Sequence, residues 1–139
     1  MVYVCRKEYF NAAHRLYRED WSPEKNQEVF GPCANRHWHG HNFELIVTAK
    51  GYPDPETGFV LDMKKLGDLV KKEVISQLQH QNMNEVSFLK NKIPTCEILV
   101  MEIWKILEPR IPQLSSSAQL HSIQLFETEK NFEEYFGEK

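Results

Sequence analysis

The sequence predicts an α+β fold, an antiparallel sheet carrying helices on one face. Extended segments cluster early in the chain and recur near its end, with no helix between each consecutive pair. Two segments of helical periodicity stand together in between. The order reads β, β, β, α, α, β, whereas a parallel sheet needs a crossover helix after nearly every strand. At 139 residues the chain is expected to form one domain, 1–139, burying about two-thirds of its unfolded surface.

The first element, Val2 to Arg15, is β-branched and aromatic at its start and reads as a strand running into His14. Residues 18–38 are polar and turn-rich, with Pro23, Gly31, Pro32 and Asn35, and read as a long loop of the kind that carries function. From His41 to Gly51, Phe43, Leu45, Val47 and Ala49 alternate with Glu44, Thr48 and Lys50, a half-buried strand. The Pro-, Asp- and Gly-bearing stretch 51–58 is a turn, and Phe59 to Leu61 a short strand.

Asp62 is placed to cap a helix running from Met63 to Leu78. Its apolar residues Met63, Leu66, Val70, Val74 and Leu78 recur every three or four positions. Gly67 weakens that helix by up to about 1 kcal/mol without cancelling the pattern. A second helix opens near Thr95, after Pro94, and stops before Pro109, with Leu99, Ile103, Ile106 and Leu107 as its apolar stripe. Residues 110–118 read as a Ser-rich loop, Leu120 to Thr128 as the last strand, and the end as a polar tail.

Composition excludes several classes. Net charge is −3 with both signs interspersed, so no basic footprint points to nucleic acid. No apolar run approaches the roughly 20 residues of a membrane span. Arg6, Lys7 and Glu8 stand where a signal peptide needs its apolar stretch, and the three cysteines are odd in number and widely spaced. A reduced, cytoplasmic protein is expected.

Chemistry concentrates in His37-Trp38-His39-Gly40-His41, with His14 lying 25 positions before His39. Residues i and i+2 of a strand share a face, so His39 and His41 can close on one ion. Gly40 leaves room for close packing behind them. Three imidazoles favour zinc over oxygen-seeking calcium or magnesium, and they leave a fourth tetrahedral position open for catalysis. His37 lies in phase and is a rival ligand. Cys33 lies in the polar loop six residues before His39, company that strengthens the metal reading. A small buried hydrophobe, a common use of cysteine, suits Cys5 better.

Phe10, His14 and Leu16, Gly31-Pro32-Cys33, His39-Gly40-His41-Asn42-Phe43, Thr57-Gly58-Phe59-Val60 and Asp62 together resemble the 6-pyruvoyl-tetrahydropterin synthase family. So do Leu78-Gln79-His80-Gln81-Asn82, Pro94-Thr95, Glu97, Ile103-Trp104 and Glu127-Thr128. The same family includes the 6-carboxy-tetrahydropterin synthases of queuosine biosynthesis. The resemblance implies a tunnelling fold (T-fold), with a four-stranded antiparallel sheet and two helices on one face. Three such sheets join into a barrel, and two trimers stack as a homohexamer. It further implies a zinc-dependent lyase that eliminates triphosphate from 7,8-dihydroneopterin triphosphate, with no nicotinamide or flavin.

Residue roles follow from the same resemblance. His14, His39 and His41 match zinc ligands and Cys33 the general base. His80 matches a relay histidine reaching that cysteine from another subunit. Glu127 matches the carboxylate that grips the pterin ring, and Thr95 and Cys96 the segment completing its pocket. His37 matches no ligand. The family's usual Asp-His reads Gln79-His80 here, so His80 lacks an anionic partner. The product, 6-pyruvoyl- or 6-carboxy-tetrahydropterin, stays open, as does a catalytically impaired pterin-binding homologue. A purely structural zinc protein is disfavoured, because such sites are closed by a fourth protein ligand.

Overall fold

The computed structural model describes residues 1–138. Its frame is a pair of long antiparallel strands, β1 (Val2–His14) and β2 (His39–Gly51), in unbroken register from Val2↔Gly51 to His14↔His39. β4 (Gln119–Phe126) pairs with the other edge of β2, and β5 (Phe132–Tyr135) folds back on β4 as a hairpin. A two-residue strand β3 (Gln81–Asn82) pairs in parallel with β1, giving the order β3-β1-β2-β4-β5. The sheet therefore has five strands, not four, and one of its pairings is parallel.

Two of the three early strands expected from sequence form. Phe59 to Leu61 does not: Val60 and Leu61 are buried by packing, while the Phe59 carbonyl accepts from the Asp54 backbone N–H at 2.8 Å, closing a turn instead of a ladder. β5 replaces the expected polar tail. Its burial alternates, but the strand is short and both central residues are glutamates.

The first long helix starts as expected, with Asp62 Oδ1 accepting from the Lys64 and Lys65 backbone N–H groups. It runs as α2 (Met63–Val70), a π-helical stretch over Lys71–Ile75, and α3 (Ser76–Leu78). Gly67 has a packing reason: a Cβ there would lie 2.7 Å from the Arg6 guanidinium. The second long helix is α4 (Cys96–Leu107), capped by Thr95, whose Oγ1 accepts from the Ile98 N–H at 3.3 Å. Both cover one face of the sheet. Leu66, Val74, Leu99, Ile103 and Leu107 meet Phe43, Leu45, Val47, Ile123 and Leu125 there, all with no solvent exposure. Truncating any of these leucines to Ala would cost about 2–5 kcal/mol.

Two stretches read as loops contain helix. α1 (Pro23–Phe30) is capped by Ser22, whose Oγ accepts from the Lys25 N–H, with Pro23 in the first turn. It buries only Asn26, so it lacks the apolar stripe that would have revealed it. α5 (Ile111–Leu114) is a single turn anchored by buried Ile111.

The opposite sheet face is open. Tyr3, Lys7, Tyr9 and Asn11 of β1 point out from it, and so does Cys5, which is exposed rather than a core filler. Gly40 is also exposed. A Cβ there would meet only the Ala12 carbonyl oxygen at 3.5 Å, so nothing packs tightly behind it. Among the described residues no helix is long and apolar enough to cross a membrane.

Candidate metal centre and adjoining cavity

The β1–β2 register brings the histidines together. It pairs Phe10 with Phe43, Ala12 with His41 and His14 with His39, and paired residues share a face. Along the helix-covered face, β2 therefore changes from Phe43 in the core to His41 and His39 at the sheet's end. His14 is 1% exposed, and its Nδ1–H donates to the Pro94 carbonyl at 2.9 Å, which turns Nε2 inward as an acceptor. That Nε2 lies 3.0 Å from His39 Nε2.

Glu127, one residue past β4, brings Oε1 to 3.0 Å from His41 Nε2 and 4.0 Å from His14 Nε2. The four ligating atoms lie within 4.8 Å of one another. Despite its nearness to Glu127, His41 Nε2 is buried and makes no well-aligned hydrogen bond. An orphaned ring nitrogen beside two others is costly unless a cation takes the lone pairs. Burial lowers the pKa of His14, against the pull of its bond to Pro94, and burial followed by His41 lowers that of His39. Both rings are thereby held neutral, the form that ligates. Three imidazole nitrogens with a carboxylate at the edge fit zinc.

Beside the cluster opens a cavity of about 430 Å³, lined among others by His14, Cys33, Thr95, Cys96, Glu127 and Glu133. That is the size of a small-molecule site. Cys33 sits in a 3₁₀ turn, Gly31–Ala34, tied to the end of β1 because its carbonyl accepts from the Leu16 N–H at 2.8 Å. Cys96 opens α4 and donates its thiol proton to Glu127 Oε2 at 2.8 Å. Burial, then Glu127, pushes the Cys33 thiol above its ordinary value. Burial and the bond to Glu127 push Cys96 higher still.

Seven of the eight residues singled out in the sequence thus gather at one end of the sheet. The eighth, His80, does not line the cavity. It is exposed at the turn between α3 and β3, with φ 58°, and its backbone N–H donates to the Asn11 carbonyl at 2.6 Å. The in-phase rival His37 is exposed and outside the cluster. Sequence reasoning missed Lys130, Asn131 and Glu133, which line the cavity from the β4–β5 hairpin, and left Glu97 without a role. Phe132-Glu133-Glu134-Tyr135 puts one aromatic and one glutamate on each face, so no apolar–polar alternation marks the strand in the sequence.

Compared with known proteins, residues 3–138 match the family described as 6-pyruvoyl tetrahydropterin synthase. The 6-pyruvoyl tetrahydrobiopterin synthase of Dictyostelium discoideum is 36% identical over 138 residues, spanning 99% of this chain and 97% of that protein. That of Pongo abelii is 34% identical, over 97% of this chain and 91% of its own. The solved structure of Caenorhabditis elegans 6-pyruvoyl tetrahydropterin synthase superposes with a TM-score of 0.88 at 33% identity, covering 99% and 96% of the two chains.

Proposed function

The chain belongs to the 6-pyruvoyl tetrahydropterin synthase family, and from that premise we propose that it is a zinc-dependent lyase. Its substrate is 7,8-dihydroneopterin triphosphate, from which it eliminates triphosphate to form 6-pyruvoyl-tetrahydropterin in the cytoplasm. One observation carries the reading: three histidine nitrogens converge beside a ligand-sized cavity that also holds Cys33 and Glu127.

His14, His39 and His41 hold the zinc, which when bound polarises substrate side-chain oxygens as a Lewis acid. Glu127 accepts N–H donors from the pterin ring edge, two oxygens against two donors. Thr95 and Cys96 close the pocket around that ring. Cys33 takes the proton from the substrate side chain as general base. Burial and Glu127 keep its thiol protonated at neutral pH, so a proton acceptor is needed to generate the thiolate that acts as base. His80 fills that need from a neighbouring copy in a homohexamer. The open outer sheet face, with Tyr3 52% and Tyr9 66% exposed, supports such an assembly.

The test is to incubate the zinc-loaded protein with 7,8-dihydroneopterin triphosphate and identify the released pterin by mass spectrometry. A 6-pyruvoyl product is expected. A 6-carboxy product would move the chain to the queuosine branch. Tight pterin binding without turnover would make it an impaired homologue.

A further inference from the structure

Strand β5 places a carboxylate where the sheet calls for a core residue. Glu133 pairs with Leu125, so both side chains leave toward the helix-covered face. On that face Tyr135 packs edge-on against Trp104, with ring centroids 5.5 Å apart, while Glu133 turns into the cavity. Its Oε2 is buried and, among the described residues, has no hydrogen-bond partner. Buried carboxylate oxygens are normally satisfied, because leaving one bare is costly.

Among the described residues no group hydrogen-bonds that oxygen. The Cys96 thiol is close, but its single proton goes to Glu127 Oε2. Burial, then the like charges of Glu97 and Glu127, push the Glu133 carboxyl upward, against a smaller opposing pull from the Cys96 thiol. A donor entering the cavity would satisfy it.

We propose that Glu133 is a specificity-determining residue that accepts the second N–H of the ligand's exocyclic 2-amino group. This rests on the pterin reading of the cavity. A pterin edge offers a ring N–H and an NH₂. Glu127 satisfies the ring N–H and one amino hydrogen, and one hydrogen is left over. A second carboxyl beside the first takes it. Sites built around such a bond reject analogues that lack it, because the buried acceptor is then stranded.

The experiment is fluorescence titration of the intact zinc-loaded protein, its E133Q variant and its E133V variant. The probes are neopterin and its N2-methyl analogue, in which a methyl can replace that leftover hydrogen. The wild type should prefer neopterin by roughly ten- to hundredfold, the range of a charged hydrogen bond. E133V should lose neopterin affinity by a similar factor and bind both probes alike. E133Q keeps an acceptor oxygen and the side chain's shape, so it should fall between, and it stands in if E133V fails to fold. Unchanged neopterin affinity in E133Q and in folded E133V overturns the proposal alone, as does a wild type indifferent to the methyl group. A wild type that binds neither probe overturns the pterin reading, and this inference with it.

Discussion

Gln79 offers His80 a hydrogen-bond donor, not an acceptor. Its Oε1 accepts from the Asn11 backbone N–H at 2.9 Å, and its Nε2 faces His80 Nε2 at 3.3 Å. The backbone donor fixes which end of the amide faces which partner. An amide N–H pointing at Nε2 suits the neutral ring with a lone pair there. An imidazolium has no acceptor nitrogen to offer it. The Gln79 carbonyl, which could otherwise serve the ring N–H, is taken by Asn11.

Gln79→Asp should therefore speed the reaction. A carboxylate keeps an acceptor for Asn11 and gives the ring proton a second one. A gain on the order of tenfold is expected, about 1.4 kcal/mol of barrier. Steady-state rates of both forms with zinc saturated would check it. An equal or slower variant would mean that His80 works as a neutral acceptor throughout turnover.

Metal content separates the histidines. Changing His14, His39 or His41 to Ala should strip zinc and activity together, while His37→Ala should leave both intact because His37 is exposed outside the cluster. Plasma emission analysis of the purified variants reads this directly. Loss of zinc from His37→Ala with retention in His14→Ala would reverse the ligand assignment.

What was legible in the sequence was what long periodicity writes. β1, β2 and the two long helices each repeat their pattern over eight or more residues, and their ends carry Asp62, Pro94 and Thr95 as stop and start signals. His39 and His41 were legible because i, i+2 spacing on a strand needs no tertiary information. His14 joins them only through the β1–β2 register, and its role as a ligand was identified through the family resemblance. The short elements were not. α1 buries one residue, and β3 holds two residues of ladder borrowed from β1. Glu133 was hidden for the same reason: its strand is four residues long and looks like a charged tail until Leu125 lies beside it.

The three cysteines should alkylate in a fixed order in metal-free protein. Burial and Glu127 raise the Cys33 thiol, so its thiolate appears, and its reaction with iodoacetamide starts, at higher pH than in a free peptide. Cys96 is raised further and buried, and should stay unmodified wherever the fold survives. Exposed Cys5 should react first. Peptide mass spectrometry across a pH series gives the order. Early modification of Cys96 would show that the thiol–carboxylate contact does not hold.

Glu127→Gln decides whether this carboxylate grips the ring or the metal. Its Oε1 stands 3.0 Å from His41 Nε2, close enough to share an ion, while its Oε2 is 2.8 Å from the Cys96 sulfur, at the cavity wall. As ring anchor, its loss of charge should weaken pterin binding by about 1.5–3 kcal/mol and leave zinc content at the wild-type level. The same substitution removes a negative charge that raises Cys33, so the onset of Cys33 alkylation should move to lower pH. Calorimetric titration with neopterin, metal analysis and the alkylation series can be run on one preparation. Zinc lost with the three histidines intact would make Glu127 the fourth ligand. The open coordination position would then be closed, and the site would be structural rather than catalytic.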